Sequence, residues 1–292
     1  MDIKQDVPLK LYSSFHTGGN ADNFVEVKTA DEAVQALQTA KQNNWTVFFL
    51  GGGTNILFPD EGMRGLVIKN SINFIEKDGH ELRVGAGAYT TSLAQYAQKE
   101  SLSGIERLFG LPGSIGGAIR GNAETHKTSI SDVLKDVTFI NDDLRLEIAS
   151  PKELEFDYRE SKFKKHPQFI VSCTLRLTPG NPEAIQQLMA DTKNWRKEKQ
   201  PGGFTAGSFF KNPPDTSAGY LIDQAGLKGF QIGGAQVSEK HANFLTNTGK
   251  ATSKDVMMLA AHIKKTVQEK FGIQLVEEVH IINSSSKILS MP

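Results

Sequence analysis

The sequence predicts an α+β protein of more than one domain. Three observations carry that expectation. Helical and strand-like stretches mix without the regular strand–helix–strand rhythm of a doubly wound sheet. The chain has 292 residues, enough for two domains or three small ones. Pro201-Gly202-Gly203 also breaks the chain about two thirds of the way along.

Taken in order, residues 29–44 read as a helix. Thr29 and Glu32 have capping-box spacing, and Ala33, Leu37 and Ala40 fall on one side. Residues 45–50 read as a buried strand running into Gly51-Gly52-Gly53-Thr54-Asn55. Residues 67–69 and 81–86 are further strands, and 91–101 a short helix. Residues 133–149 and 169–177 read as strands flanking the charged segment 150–168. Pro182 suits the first turn of a helix over 182–199, with Ile185, Leu188, Met189 and Trp195 at helical spacing. Beyond the break come a short helix over 217–225 and a longer one over 253–271. The longer one carries Val256, Leu259, Ile263 and Val267 on one face and stops at Gly272. Residues 273–282 read as a last strand. The run Ser284-Ser285-Ser286 opens a tail expected to fray.

Composition excludes several classes of function. Lysine plus arginine is 33 and aspartate plus glutamate is 33, so no global field gathers nucleic acid or an anionic membrane. Any anion must be held by a local site. The single cysteine, Cys173, cannot form an internal disulfide, which points to a reducing compartment. It lies in the apolar run Phe169 to Leu175 and reads as a buried strand residue. Met1 to Lys10 is polar and lacks the apolar run of a signal peptide. No stretch approaches the roughly 18 apolar residues of a membrane span. A cytoplasmic location is the expectation. The seven histidines are scattered, without metal-ligand spacing, so no metal site is expected.

Two glycine-rich stretches carry the strongest local signal: Gly51-Gly52-Gly53-Thr54-Asn55 and Gly110-Leu111-Pro112-Gly113-Ser114-Ile115-Gly116-Gly117-Ala118. Glycine allows positive φ and lets a ligand approach the backbone. Successive amide N–H groups then form a concave anion site that needs no lysine. Neither stretch is a Rossmann fingerprint, since Ile56 stands where glycine or alanine is required, and neither is a Walker loop. Either could be a tight turn at a strand end; two together favour a dinucleotide.

The two stretches resemble the flavin-binding loops of the UDP-N-acetylenolpyruvoylglucosamine reductase family. Asp157-Tyr158-Arg159, Ala206-Gly207-Ser208-Phe209-Phe210-Lys211-Asn212-Pro213, Ala218 to Gly229, Ile232-Gly233-Gly234-Ala235 and Glu277-Glu278-Val279 are similar to the family's remaining motifs. They run in the family's order over residues 15–283. The resemblance implies a two-lobed FAD-binding domain of the vanillyl-alcohol-oxidase type, its lobes at 1–70 and 71–200. A C-terminal α+β substrate-binding domain at 201–292 would follow. It also implies the family's shorter subtype, a monomer with non-covalent FAD, and NADPH as hydride donor. The substrate would be UDP-N-acetylenolpyruvoylglucosamine, reduced to UDP-N-acetylmuramate for peptidoglycan. There are departures. Asn122-Ala123 is followed by Glu124-Thr125-His126-Lys127 instead of a glycine-alanine-aromatic-glycine segment. Phe204-Thr205 replaces a proline-serine pair, and His280 stands where arginine is common.

The resemblance assigns roles residue by residue. Gly51, Gly52, Gly53, Thr54, Asn55, Gly110, Pro112, Gly113, Ser114, Gly116 and Gly117 would hold FAD. Arg159, Ser208 and Glu278 would be catalytic. Tyr158, Lys211, Asn212 and Gln224 would grip the nucleotide sugar. Reducing an enolpyruvyl ether builds negative charge beside a carboxylate. Arginine suits that carboxylate through its two-pronged hydrogen bond, and its grip strengthens as charge develops. A serine hydroxyl is a sufficient acid for so strong a carbon base. Glu278 would order Arg159 or share a proton. Strand alternation does not say whether Glu277 or Glu278 faces inward; only the motif picks Glu278. By themselves, Ser208 reads equally as a turn cap, and Arg159 as one more solvated charge beside Lys162, Lys164 and Lys165. Two other functions fit the loops: an FAD oxidase of an alcohol or lactone, and a silent nucleotide-sugar binding protein.

Overall fold

The computed structural model describes residues 1–126 and 128–282. The serine run expected to fray lies outside the described residues. The architecture is α+β, as expected.

Residues 4–70 supply β1 (Lys4–Pro8), β2 (Asn20–Val27), β3 (Val47–Leu50), β4 (Ile56–Leu57) and β5 (Met63–Asn70). Four of them form a sheet in the order β1-β2-β5-β3. β1 is antiparallel to β2, and β5 is parallel to both its neighbours. Helix α1 (Ala30–Gln42) makes the crossover that parallel strands require. Thr29 Oγ1 accepts from Glu32 N at 3.1 Å, and the Glu32 carboxylate accepts from Lys28 N at 2.6 Å. Ala33, Ala36, Leu37 and Ala40 of α1 cover one face of the sheet against Val25, Val27, Leu66 and Ile68. Burial of Leu37 alone stabilises this packing by about 2 kcal/mol. The opposite face carries Phe24, Phe48, Leu50 and Val67, covered by Ile56 and Phe58.

A second sheet has the order β12-β11-β13-β7-β6, antiparallel throughout. Its strands are β6 (Ile75–Asp78), β7 (Glu81–Gly85), β11 (Leu134–Ile140), β12 (Leu146–Ala149) and β13 (Phe169–Arg176). Two short pairs accompany it: β8 (Leu102–Ser103) with β14 (Thr178–Pro179), and β9 (Glu124–Thr125) with β10 (Thr128–Ser129). The segment 133–149, read as one strand, is a hairpin. Asn141 Oδ1 accepts from Asp143 N and Arg145 N at 3.1 and 3.0 Å, and Leu144 takes φ 61°, turning the chain back. Cys173 is buried between Val137 and Val84, and burial pushes its thiol far up. It is a core residue, as expected. The helices here are α2 (Thr90–Lys99), α3 (Ile115–Arg120), α4 (Lys162–Lys165) and α5 (Pro182–Lys199). On α5, Ile185 and Met189 face the core. Trp195, expected on that face, is exposed and rests on His126 at 4.6 Å between ring centres.

The C-terminal third packs α6 (Ala218–Gln224) and α7 (Ser253–Phe271) around a small antiparallel sheet. Its strands are β15 (Gln231–Ile232), β16 (Ala235–Val237) and β17 (Leu245–Asn247). Thr252 and Asp255 form a capping box at the start of α7, and Gly272, at φ 71°, ends it. The strand expected over 273–282 shrinks to β18 (His280–Ile281), because its partner β4 is only two residues long. That parallel pair ties the C-terminal third to β4, which stands outside the first sheet. Asp60 strengthens the tie by accepting from Ser253 N and Lys254 N, at 2.8 and 2.9 Å, at the first turn of α7. Phe15 and Leu57 belong to the core of the C-terminal third.

Candidate active site

The two glycine stretches meet. Gly52 N donates to Ser114 Oγ at 3.2 Å, and Thr54 Oγ1 donates to Pro112 O at 3.1 Å. Ser114 also caps α3 by accepting from Gly117 N at 3.4 Å. The approach is so close that only glycine fits. A Cβ on Gly52 would lie 2.9 Å from Gly113 Cα. A Cβ on Gly53, at φ 67°, would lie 1.8 Å from Tyr12 O. Lys69 stands behind the first turn on β5 and donates to Gly51 O at 2.7 Å. Burial lowers its ammonium from the ordinary lysine range, against the opposing pull of Glu26. Sequence reading missed this lysine and held that the cradle needs none. Only the short hydroxyl side chains of Thr54 and Ser114 stand between the two turns, and Gly110 and Gly117 of the second stretch are exposed. Such a surface fits the diphosphate of FAD, which needs N–H donors and close approach.

Arg159 and Glu278, 119 positions apart in sequence, are brought together. Arg159 Nε lies 3.1 Å from Glu278 Oε1, and both side chains are mostly buried. Yet Nε has no acceptor in line, so the contact is an ion pair rather than a directed hydrogen bond. The guanidinium fork remains uncommitted to its partner. Burial raises the Glu278 carboxyl from its ordinary range, and the Arg159, Lys164 and Lys211 cations pull it back. The structure also resolves which glutamate faces the site. Glu277 turns to Lys264 at 2.8 Å, and Glu278 turns to Arg159.

Ser208 lies on the segment that runs antiparallel to the one carrying Glu278. Phe209 O accepts from Glu278 N at 2.8 Å, and Phe210 bridges Glu277, which sets Phe209 opposite Glu278 and Ser208 one position along, opposite Val279. Its hydroxyl makes no hydrogen bond among the described residues and caps no described helix. Lys211, three residues on, donates to Glu160 at 2.6 Å and so joins the Arg159 loop. Asn55 Nδ2 donates to Glu278 O at 3.2 Å, tying the first glycine turn to this strand. Tyr158 is exposed beside Arg159, its ring 5.8 Å from the guanidinium carbon. Asn212 Oδ1 accepts from Ala218 N at 3.1 Å and anchors the start of α6. Gln224 is exposed at the far end of α6 and makes no contact with the Arg159 cluster among the described residues.

Several residues around the cluster were given no role by sequence reading. Asn122 Nδ2 donates to Asp157 O at 3.0 Å, while its Oδ1 is buried without a partner. Lys164 donates to Arg159 O, and Ser161 donates to Arg120 O at 2.7 Å. His280 is held neutral: burial, then the Arg120 and Lys164 cations, push it down to about 4. The hairpin after Asn122-Ala123 places Thr125 Oγ1 3.0 Å from Arg196 Nη2. Among the described residues, no group of His, Cys, Asp and Glu is arranged to hold a metal.

Comparison with known proteins gives the family. A family model described as an FAD-binding domain matches residues 21–147. Another, described as the C-terminal domain of UDP-N-acetylenolpyruvoylglucosamine reductase, matches residues 199–282. A UDP-N-acetylenolpyruvoylglucosamine reductase of Clostridium novyi (strain NT) is 38% identical over 288 residues, covering 98% of this chain and 94% of its own. One of Bacillus subtilis (strain 168) is 39% identical over 284 residues, covering 95% and 93%. The crystal structure of the Thermus caldophilus reductase superposes with a TM-score of 0.85 at 35% identity, covering 97% of this chain and all of that one. Residues 21–147, which include most of the first sheet and part of the second, thus belong to an FAD-binding domain, and the cofactor is FAD. With this identity sustained along nearly the whole of both chains, the chain belongs to the UDP-N-acetylenolpyruvoylglucosamine reductase family.

Proposed function

We propose that the protein reduces the enolpyruvyl ether of UDP-N-acetylenolpyruvoylglucosamine to UDP-N-acetylmuramate, using NADPH. The observation that carries this reading is the Arg159–Glu278 contact, near the segment that carries Ser208 and next to the paired glycine turns. FAD, when bound, supplies a hydride relay between NADPH and the sugar.

The protein's own residues do the rest. Arg159 binds the substrate carboxylate through the fork that Glu278 leaves free. Its hold strengthens as the carboxylate gains enolate character, and such charge stabilisation supplies much of the rate enhancement in many enzymes. Ser208 gives its hydroxyl proton to the carbon next to that carboxylate. Glu278 has its proton affinity raised by burial, which suits a group that shares a proton with the enol while orienting Arg159. Tyr158, Lys211, Asn212 and Gln224 grip the nucleotide sugar. The same reading divides the work among units 1–70, 71–200 and 201–292, and makes the protein a cytoplasmic monomer serving peptidoglycan synthesis. None of the described helices is long and apolar enough to cross a membrane.

The test is spectroscopic. Purified protein with FAD is treated with NADPH without oxygen, and then with the enolpyruvyl sugar. Bleaching on the first addition and recolouring on the second is expected. Ser208→Ala should bleach at the normal rate and fail to recolour. A variant that recolours normally removes Ser208 from the reaction.

A further inference from the structure

The loop that presents Arg159 is held from below by a lysine. Asp157 and Glu160 exchange backbone hydrogen bonds at 3.2 and 3.0 Å, so Tyr158 and Arg159 form the tip of a tight hairpin. Arg159 has φ 56°, the left-handed region that suits glycine and is costly for a residue with a Cβ. The rest of the structure must hold it there. Asn122 reaches the near side of the hairpin at Asp157 O. Lys164, on the single turn of α4, donates to the carbonyl of Arg159 itself. Its side chain is only 18% exposed, and its nearest carboxylate, Glu160, is 3.8 Å away and already bound to Lys211 at 2.6 Å. Lys164 thus gives its best hydrogen bond to a neutral carbonyl although a carboxylate is adjacent. That choice makes sense if the carbonyl needs holding.

We propose that Lys164 is a positioning residue: by bonding the Arg159 carbonyl it fixes the left-handed turn that delivers the Arg159 guanidinium to Glu278. The inference rests on the proposed function for its kinetic consequences, but not for the conformation it assigns. The ammonium has a second effect. It faces Glu160 and Glu278 as anions, with Arg120, Lys211, Arg159 and the neutral His280 around it. It is one of the three cations that lower the proton affinity of Glu278. Removing it therefore raises Glu278 further.

The experiment compares Lys164→Met, Lys164→Arg and Lys165→Met in the FAD-loaded protein. Lys165, one residue along, serves an exposed pair with Glu155 and should change nothing. In Lys164→Met, kcat/KM for the enolpyruvyl sugar should fall 10- to 100-fold. Bleaching by NADPH and the Kd for FAD should stay within twofold of wild type. The limb of the pH profile set by Glu278 should move to higher pH, and Lys164→Arg should restore both the rate and the limb at least in part. The buried Arg159 Nε–H should give a slowly exchanging nitrogen–proton NMR signal in wild type and Lys164→Arg, and a rapidly exchanging one in Lys164→Met. Wild-type kcat/KM with an unmoved pH limb in Lys164→Met overturns the proposal. So does an Arg159 signal that all variants share, or an equal loss of FAD from the Met and Arg variants. A wild-type protein inert toward the sugar ends the functional reading instead, and the NMR comparison then still decides the role of Lys164.

Discussion

His280 should make the folded protein sensitive to mild acid. Its ring is partly buried near Phe48, 6.2 Å between ring centres, with the Arg120 and Lys164 cations nearby, and its pKa falls from the ordinary 6.5 to about 4. The fold therefore prefers the neutral ring. That preference is fully present above pH 6.5 and is lost as pH falls toward 4, because only the unfolded chain takes up the proton in that interval. The gap between 6.5 and about 4, at about 1.4 kcal/mol for each pH unit, is worth about 3.5 kcal/mol. About 2.5 kcal/mol of it disappears between pH 7.5 and pH 4.5. His280→Gln removes the titration and keeps a polar side chain of similar length. Urea unfolding of FAD-free protein at several pH values gives both stability curves. The wild-type curve should fall more steeply than the variant's, by that amount. The carboxylates that also titrate are common to both proteins and cancel in the difference. Parallel curves would refute the argument and would mean that the ring is solvated or finds a carboxylate partner in solution.

Other outcomes follow from the packing. Gly53→Ala must place a methyl 1.8 Å from the Tyr12 carbonyl at positive φ, so the first turn has to move. It should lower stability by about 2 kcal/mol or more and weaken FAD at least tenfold, as read from the fluorescence of released flavin. Asp60→Ala deprives α7 of two charge-assisted bonds at its first turn and should lower the unfolding free energy by about 1–2 kcal/mol in urea. Arg159→Lys keeps the charge but not the fork. Steady-state turnover should drop by about 10- to 100-fold, the worth of one charge-assisted bond, with FAD binding intact. An equal loss of FAD would show a structural role.

Local signals in the sequence succeeded where one element carries its own instructions. Helix α7 was legible to the residue because four apolar positions within it and Gly272 at its end carry the signal. The two glycine turns were legible because the residue type states the backbone demand. The sequence failed where a partner decides. Residues 273–282 look like a long strand, yet β18 is two residues long because β4 offers no more. Strands β1 and β2 were not read at all. β1 is polar and mostly exposed, and β2 takes much of its definition from β5. The turn at Asn141 was visible in the Asn-Asp-Asp run and was overlooked. At the site, Arg159, Ser208 and Glu278 came from the ordered motifs. Lys69, Asn122 and Lys164 did not, because a lysine in a strand or among other lysines reads as solvated until its carbonyl partner is seen. Glu277 and Glu278 are separable only once Lys264 and Arg159 take one each.

The pairing of β18 with β4 has a consequence for the newborn chain. Asn55 is bonded to a residue 223 positions later, and Phe15 to one 232 positions later. At about 5–20 residues per second, the first glycine turn waits on the order of ten to forty-five seconds outside the ribosome for the strand that completes it. Until then Phe15 and Leu57 have no core to enter. Loops closed over such separations form slowly. Flavin capture therefore belongs to a chain made through β18, and the growing one needs shelter for the apolar edge that the C-terminal third will cover.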